Sequence, residues 1–272
     1  MNIRFYQIQP DRVEELDPPG SSLDGITSSL PPGLYTTFNT LAHGTKVLGL
    51  GRHLQRLYLP SAVQPPIPVS ALRKRISELA MTNLPNESKI RLIFLQESRE
   101  LFIVLHDFTP LAKSVYENGV HVVTTDMTRH NPKIKGTDFI SQSSEQRKLV
   151  GGDVFEVLLT KNDKILEGMT SNFYGVINRP QAIVTAKHGV LAGVTRNIIL
   201  RIAKKQGLSI KYHAPSVGGN FAEAFLTSSS RGVVPIVRID ESAVGDERPG
   251  KITKRLAMDY GLYVEQNAER IS

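Results

Sequence analysis

The sequence predicts an α/β chain of the α+β kind, divided into two domains, and three observations carry that prediction. At 272 residues the chain exceeds the usual single domain and can bury a sizeable core. Runs rich in β-branched and aromatic residues are interspersed with amphipathic helical patterns. A polar stretch with a proline, residues 107–118 (DFTPLAKSVYEN), separates two such sets. It places a junction there, giving a small α+β domain over 1–112 and a larger domain over 113–272.

Taken in order, residues 1–33 hold Pro10, Pro18, Pro19, Gly20, Pro31, Pro32 and Gly33, so little regular structure is expected. Leu34 to Leu50 reads as two strands around a His43-Gly44 turn. Gly51 to Ala62 places Leu54, Leu57 and Tyr58 at helical spacing until Pro60 stops the helix. Val69 to Ala80 is an amphipathic helix with Ser70 as its expected cap. Lys89 to Leu95 and Leu101 to Leu105 are strands flanking the turn at Gln96 to Arg99.

In the second part, Gly119 to Thr125 alternates as a strand and Ser141 to Leu149 reads as helical. Val154 to Leu159 is a strand, apolar but for Glu156, and the Asn162-Asp163 turn leads into Ile165-Leu166-Glu167-Gly168. Phe173 to Ile177 and Ala182 to Thr185 add strands. Gly193 to Lys205 is the clearest helix, with Ile198, Ile199, Ile202 and Ala203 on one face and Gly207 as its stop. Ala222 to Thr227 and Val233 to Ile239 are strands joined by Ser228, Ser229, Ser230 and Arg231, and the helix after Pro249-Gly250 is expected to close at Gly261.

Composition removes several classes of function. Hydrophobic residues at 40% and charged residues at 22% are those of a folded globular chain, which excludes a fibre or a disordered tail. The absence of cysteine excludes disulfides, thiolate metal sites and a cysteine nucleophile, and no metal is expected. The net charge of +7 comes from scattered Lys and Arg, so solvated faces are expected and nucleic acid is not. The start, Met1-Asn2-Ile3-Arg4-Phe5, lacks a signal-peptide pattern, and no window approaches the ~20 apolar residues of a membrane span. A cytoplasmic protein without membrane partners is the expectation.

Lys135, in an Ile-Lys-Gly turn after Pro132, and Glu167, at the end of a hairpin, form the pair on which the chemistry rests. An amine and a carboxylate facing one pocket suit a pyridine aldehyde: the amine condenses with the aldehyde, and the carboxylate keeps the ring nitrogen protonated. A phosphate needs N–H groups, hydroxyls and a fixed cation. Gly193, Val194 and Thr195 at a helix start, the hydroxyls of Ser228 and Ser229, and Arg56 supply them. Taken singly, each is what an ordinary cap, turn or surface charge looks like.

Five motifs in order give these residues a common meaning. They are His53-Leu54-Gln55-Arg56-Leu57, Pro132-Lys133-Ile134-Lys135-Gly136, Glu167-Gly168-Met169-Thr170-Ser171-Asn172-Phe173, Leu191-Ala192-Gly193-Val194-Thr195-Arg196, and Thr227-Ser228-Ser229-Ser230 before Pro235-Ile236. Over roughly residues 33 to 260 the chain resembles the class IV aminotransferases, the fold-type IV enzymes dependent on pyridoxal phosphate. These include branched-chain and D-amino-acid aminotransferases and 4-amino-4-deoxychorismate lyase.

The resemblance implies a small α+β N-terminal domain and a larger, barrel-like C-terminal domain that carries the catalytic lysine. It also implies pyridoxal 5'-phosphate as cofactor and a homodimer. Lys135 becomes the Schiff-base lysine and Glu167 the partner of the pyridine nitrogen, while Arg56, Gly193, Val194, Thr195, Ser228 and Ser229 hold the phosphate. Tyr35, Thr37 and Arg91 are the candidates for the substrate wall. Two positions depart from the family pattern: Gly136 stands where serine is commoner, and Thr36 replaces a glutamate frequent in transaminating members. Tyr35-Thr36-Thr37 and Glu223 to Ser229 look closer to the lyase branch. The substrate is therefore an amino acid for an aminotransferase, or an aminodeoxychorismate-like molecule for a lyase yielding p-aminobenzoate and pyruvate. A non-catalytic basic binding protein on the same fold is a third reading, which the intact Lys135 and Glu167 oppose.

Overall fold

The computed structural model describes residues 3–58, 60, 64–178 and 181–271. The first stretch runs β1 (Ile3–Ile8), β2 (Val13–Leu16), α1 (Leu23–Ser29), β3 (Leu34–Leu41), β4 (Lys46–Val47), α2 (Leu50–Tyr58), α3 (Val69–Met81), β5 (Ser88–Leu95) and β6 (Glu100–Asp107). Next come α4 (Lys113–Asn118), β7 (Val120–Asp126), α5 (Asp138–Gln142), α6 (Ser144–Arg147), β8 (Val154–Lys161), β9 (Lys164–Gly168), β10 (Asn172–Asn178) and β11 (Gln181–Thr185). The chain ends with α7 (Val194–Lys205), β12 (Ser209–Tyr212), β13 (Glu223–Ser228), β14 (Gly232–Ile239), β15 (Ser242–Ala243), α8 (Lys251–Asn267) and β16 (Glu269–Arg270).

These elements form two compact units, and the division is not a single cut. One unit comprises Met1–Thr109, Ile134–Gln142 and Gln266–Ser272, and the other Pro110–Lys133 and Ser143–Glu265. The segment carrying Lys135, expected in the second domain, therefore packs within the first unit. Its backbone explains why: Tyr35 N donates to Lys135 O at 2.9 Å, Thr137 N to Gly33 O at 2.9 Å, and Gly33 N to Thr137 Oγ1 at 2.8 Å.

In the first unit a seven-stranded sheet runs in the order β16-β4-β3-β5-β6-β1-β2. The central strands β3, β5 and β6 bury side chains on both faces, which is why they read as nearly continuous apolar runs. Leu50, Leu54 and Leu57 of α2 and Leu72 and Ile76 of α3 cover one face at helical spacing and are buried. The N-terminal stretch is more ordered than its prolines and glycines suggest. Ile3 to Ile8 pairs in register with His106 to Leu101, and Ser22 caps α1 by accepting a bond from Gly25 N at 3.0 Å. Ser70 does not cap α3; the helix begins before it, at Val69, behind Pro68. Leu59 and residues 61–63, the expected end of the α2 helix, lie outside the described residues, as do Met1 and Asn2.

In the second unit β10, β13, β14, β7, β8 and β9 pair in succession, and β9 pairs back with β10 to close a six-stranded barrel. β11 and β12 extend this nine-stranded sheet beyond β10. Parallel pairings, such as β7 with β8, sit among antiparallel hairpins, the mixed arrangement of an α+β fold. Phe173, Leu158, Leu226 and Val234 pack inside this unit's core. The helical reading of Ser141 to Leu149 resolves into two short helices, α5 and α6. The last helix does not close at Gly261, which sits in open space while α8 continues to Asn267, so no packing forces a stop there. Among the described residues no helix is long and apolar enough to cross a membrane.

Candidate active site

Glu167 is a buried charged residue of the second unit. It follows the β8–β9 hairpin turn made by Asn162 and Asp163, which both take positive φ, and it is 1% exposed. Arg129 Nε donates to Glu167 Oε1 at 2.7 Å, and the Leu191 backbone N donates to Oε2 at 2.9 Å. Asn172 Nδ2 reaches Oε2 at 3.3 Å and the Leu191 carbonyl at 2.9 Å. A buried carboxylate is tolerated only with such partners, and here both oxygens accept from donors, as an ionised carboxylate does.

The same contacts tie Glu167 to the start of α7. Leu191 precedes Gly193, and a Cβ on Gly193 would stand 2.4 Å from Asn172 Oδ1. Gly193 has an ordinary φ of −64°, so glycine is required there by space rather than by backbone conformation. No side chain caps α7, which leaves the N–H groups of its first turn, at Val194 and Thr195, without intrahelical acceptors. Thr195 is buried, and burial pushes the Tyr260 hydroxyl up in pKa. Arg196 serves the fold: it donates to Thr185 Oγ1 at 2.7 Å and to Ala186 O at 2.6 Å.

In the first unit Lys135 and Arg91 make a cationic group around one aromatic ring. Lys135 Nζ lies 4.5 Å from the Tyr35 ring centroid, and the Arg91 guanidinium lies 4.7 Å from the same ring. Arg91 is held by Thr37 Oγ1 at 3.0 Å, Leu23 O at 3.0 Å, Asp24 Oδ1 at 2.8 Å and Thr27 Oγ1 at 2.9 Å. The structure thus brings the three expected wall residues together, with the buried Arg91 touching both Tyr35 and Thr37.

Arg56 belongs to a second chain of bonds in this unit. Its Nη2 donates to Thr36 Oγ1 at 2.8 Å, and Thr36 Oγ1 lies 2.8 Å from His53 Nδ1. Arg56 Nη2 also lies 3.4 Å from His53 Nδ1 and can only donate, so Nδ1 is an acceptor, the ring is neutral, and the Thr36 hydroxyl hydrogen is given to the same nitrogen. Burial, then the charges of Arg56 and Lys135, hold the His53 pKa well below the usual imidazole range. Thr36, at the position that departs from the family pattern, is wholly buried and joins this histidine to this arginine.

Gly136, the other departure, has a local reason. A Cβ at 136 would come 2.3 Å from Asp138 Oδ1, so a serine there displaces that carboxylate. Two residues of the second unit carry no sequence signal of their own. Arg129, in an unremarkable Thr-Arg-His run, resembles any exposed arginine until its 3% exposure and its bond to Glu167 are seen. Arg231 reads as part of a turn, yet it bonds Ser228 Oγ and the buried Glu156.

Residues 33–239 match the family model described as amino-transferase class IV, which covers the Arg56, Lys135, Glu167, Gly193 and Ser228 positions alike. The chain belongs to the class IV aminotransferase family. A probable branched-chain-amino-acid aminotransferase of Thermotoga maritima is 29% identical over 186 residues, covering 65% of this chain and 66% of that protein. The D-alanine aminotransferase of Bacillus licheniformis is 28% identical over 145 residues, covering 52% of this chain and 50% of that protein. The chain thus spans between half and just under two thirds of the length of these curated relatives. In structure it is similar to the Escherichia coli branched-chain amino acid aminotransferase, with a TM-score of 0.77 at 17% identity over 99% of this chain and 98% of the other. It is also similar to a branched-chain amino acid aminotransferase complexed with N-(5'-phosphopyridoxyl)-L-glutamate. That second likeness has a TM-score of 0.80 at 18% identity and covers 99% of this chain and 98% of the other. Both show the fold-type IV architecture.

Proposed function

We propose that the protein is a pyridoxal-phosphate-dependent aminotransferase acting on an amino acid, with Lys135 as its catalytic lysine. The observation that carries the reading is the Glu167 arrangement. A buried carboxylate, oriented by Arg129, Asn172 and the Leu191 N–H, is bonded directly to the turn that begins α7. That turn supports the phosphate assignment, because Gly193 removes the side chain that would crowd it and the first N–H groups of α7 are left for an anion. The donor set therefore fits pyridoxal phosphate: an amine, a carboxylate, anion-binding N–H groups, serine hydroxyls and an arginine.

When bound, pyridoxal phosphate supplies an aldehyde for an amine and a ring that accepts an electron pair while its nitrogen is protonated. Every other task falls to the chain. From the first unit, Lys135 Nζ holds the cofactor and then moves the proton at the substrate Cα, and Arg56 supplies the cation for the phosphate. Tyr35, Thr37 and Arg91 form the wall for the substrate. From the second unit, Glu167 holds the proton of the ring nitrogen in place, and the N–H groups of Val194 and Thr195 with Ser228 and Ser229 hold the phosphate. A homodimer is part of the same reading.

Incubation of the reconstituted protein with single amino acids and an acceptor keto acid tests this. The expected result is stoichiometric exchange, with the donor's keto acid and the acceptor's amino acid both appearing. Pyruvate and p-aminobenzoate released from aminodeoxychorismate, with no amino transfer to any acceptor, would replace this reading with the lyase. A protein that neither takes up the cofactor nor acts on any donor would favour the non-catalytic binding protein.

A further inference from the structure

Arg231 lies outside the residues assigned so far, yet it joins two of the loops that carry them. Its guanidinium sits between the Ser228 loop and the loop after Glu167. Nε donates to Ser228 Oγ at 3.1 Å, and Nη2 donates to Glu156 Oε2 at 2.9 Å and to Thr170 Oγ1. Glu156, at 2% exposure, is buried and committed: Thr170 Oγ1 and Ser171 Oγ also donate to its Oε2, at 2.5 and 3.2 Å, and Val157 N donates to its Oε1. The Phe155 ring backs the guanidinium at 5.2 Å, and Tyr116 OH fixes the Arg231 carbonyl at 2.9 Å. Arg231 therefore has one orientation set from several sides.

The direction of one bond gives this network a consequence. An arginine can only donate, so Ser228 Oγ must accept, and its own hydrogen is left to be given to an acceptor elsewhere. Lysine would keep the charge beside Glu156 but has no second, fixed donor to turn toward the serine. We infer that Arg231 is a positioning residue for the phosphate group of the cofactor: braced on buried Glu156, it orients the Ser228 hydroxyl so that its proton faces an anion's oxygen. The inference rests on the proposed role of Ser228 in holding the phosphate.

The test compares the affinities of the cofactor-free full chain for pyridoxal phosphate and for pyridoxal, which lacks the phosphate, by fluorescence titration. Arg231→Lys should weaken pyridoxal phosphate about tenfold, as expected for one misdirected charge-assisted bond, and leave pyridoxal unchanged. Ser228→Ala should show the same selective loss, and adding Arg231→Lys to Ser228→Ala should change nothing further. An Arg231→Lys protein that loses affinity for both ligands equally, or for neither, overturns the inference while Ser228→Ala still loses only pyridoxal phosphate. A Ser228→Ala protein with no selective loss instead removes the assignment of Ser228 itself.

Discussion

Glu167 and Glu156 are both buried glutamates of the second unit, each paired with an arginine, and the pairs are built for different ends. In the Glu167 pair both side chains are sealed, with the arginine 3% exposed and the carboxylate 2% exposed. In the Glu156 pair the carboxylate is sealed at 2%, but the Arg231 side chain is 19% exposed and passes a further bond to Ser228. The first arrangement fixes a negative charge in place; the second uses a negative charge as the footing for a donor. Removing either arginine leaves a carboxylate in a poorly polarisable interior, the situation in which a buried pair is most costly to break.

The largest expected effect comes from breaking the sealed pair. Arg129→Met should lower unfolding stability by about 3–5 kcal/mol, read from urea denaturation, and Arg129→Met with Glu167→Gln should recover part of that loss because no bare charge remains. A single variant no less stable than wild type would remove the distinction between the two pairs. Gly193→Ala is next. The new Cβ must push Asn172 Oδ1 aside, and with it one of the donors to Glu167, for a cost of about 1–3 kcal/mol in the same denaturation measurement and weaker cofactor retention. Unchanged stability and retention would mean that Asn172 moves freely and does not brace Glu167.

The smallest effect is a pH dependence in the first unit. His53 is held neutral, so its folded pKa lies below the unfolded value of about 6.5 and the unfolded chain binds the extra proton. Its contribution is therefore fully present above about pH 6.5 and is lost as pH falls below that toward the depressed folded pKa. His53→Gln should flatten the slope of stability against pH over that acidic range, and an unaltered slope would assign the acid sensitivity to other groups.

Much of this was legible in the chain because local chemistry wrote it there. The Asn162-Asp163 turn and the apolar stripe of α7 are set by neighbours close in sequence, and the structure places them as read. What stayed hidden depended on distant partners. The strand at Ile3 to Ile8 exists because β6 pairs with it, and prolines nearby disguised that. Lys135 falls in the first unit because Tyr35 bonds its carbonyl, and Gly33 bonds Thr137 beside it, across a long stretch of chain. Arg129 and Arg231 are ordinary arginines in sequence, and only the buried carboxylates opposite them give them meaning.

The central claim is that Lys135 is the amine that holds pyridoxal phosphate. Sodium borohydride treatment of the reconstituted protein, followed by digestion and mass spectrometry of its peptides, addresses this most directly. The prediction is a phosphopyridoxyl mass on Lys135 alone, absent from Lys135→Ala; a modification on a different lysine, or one that persists in Lys135→Ala, would contradict it.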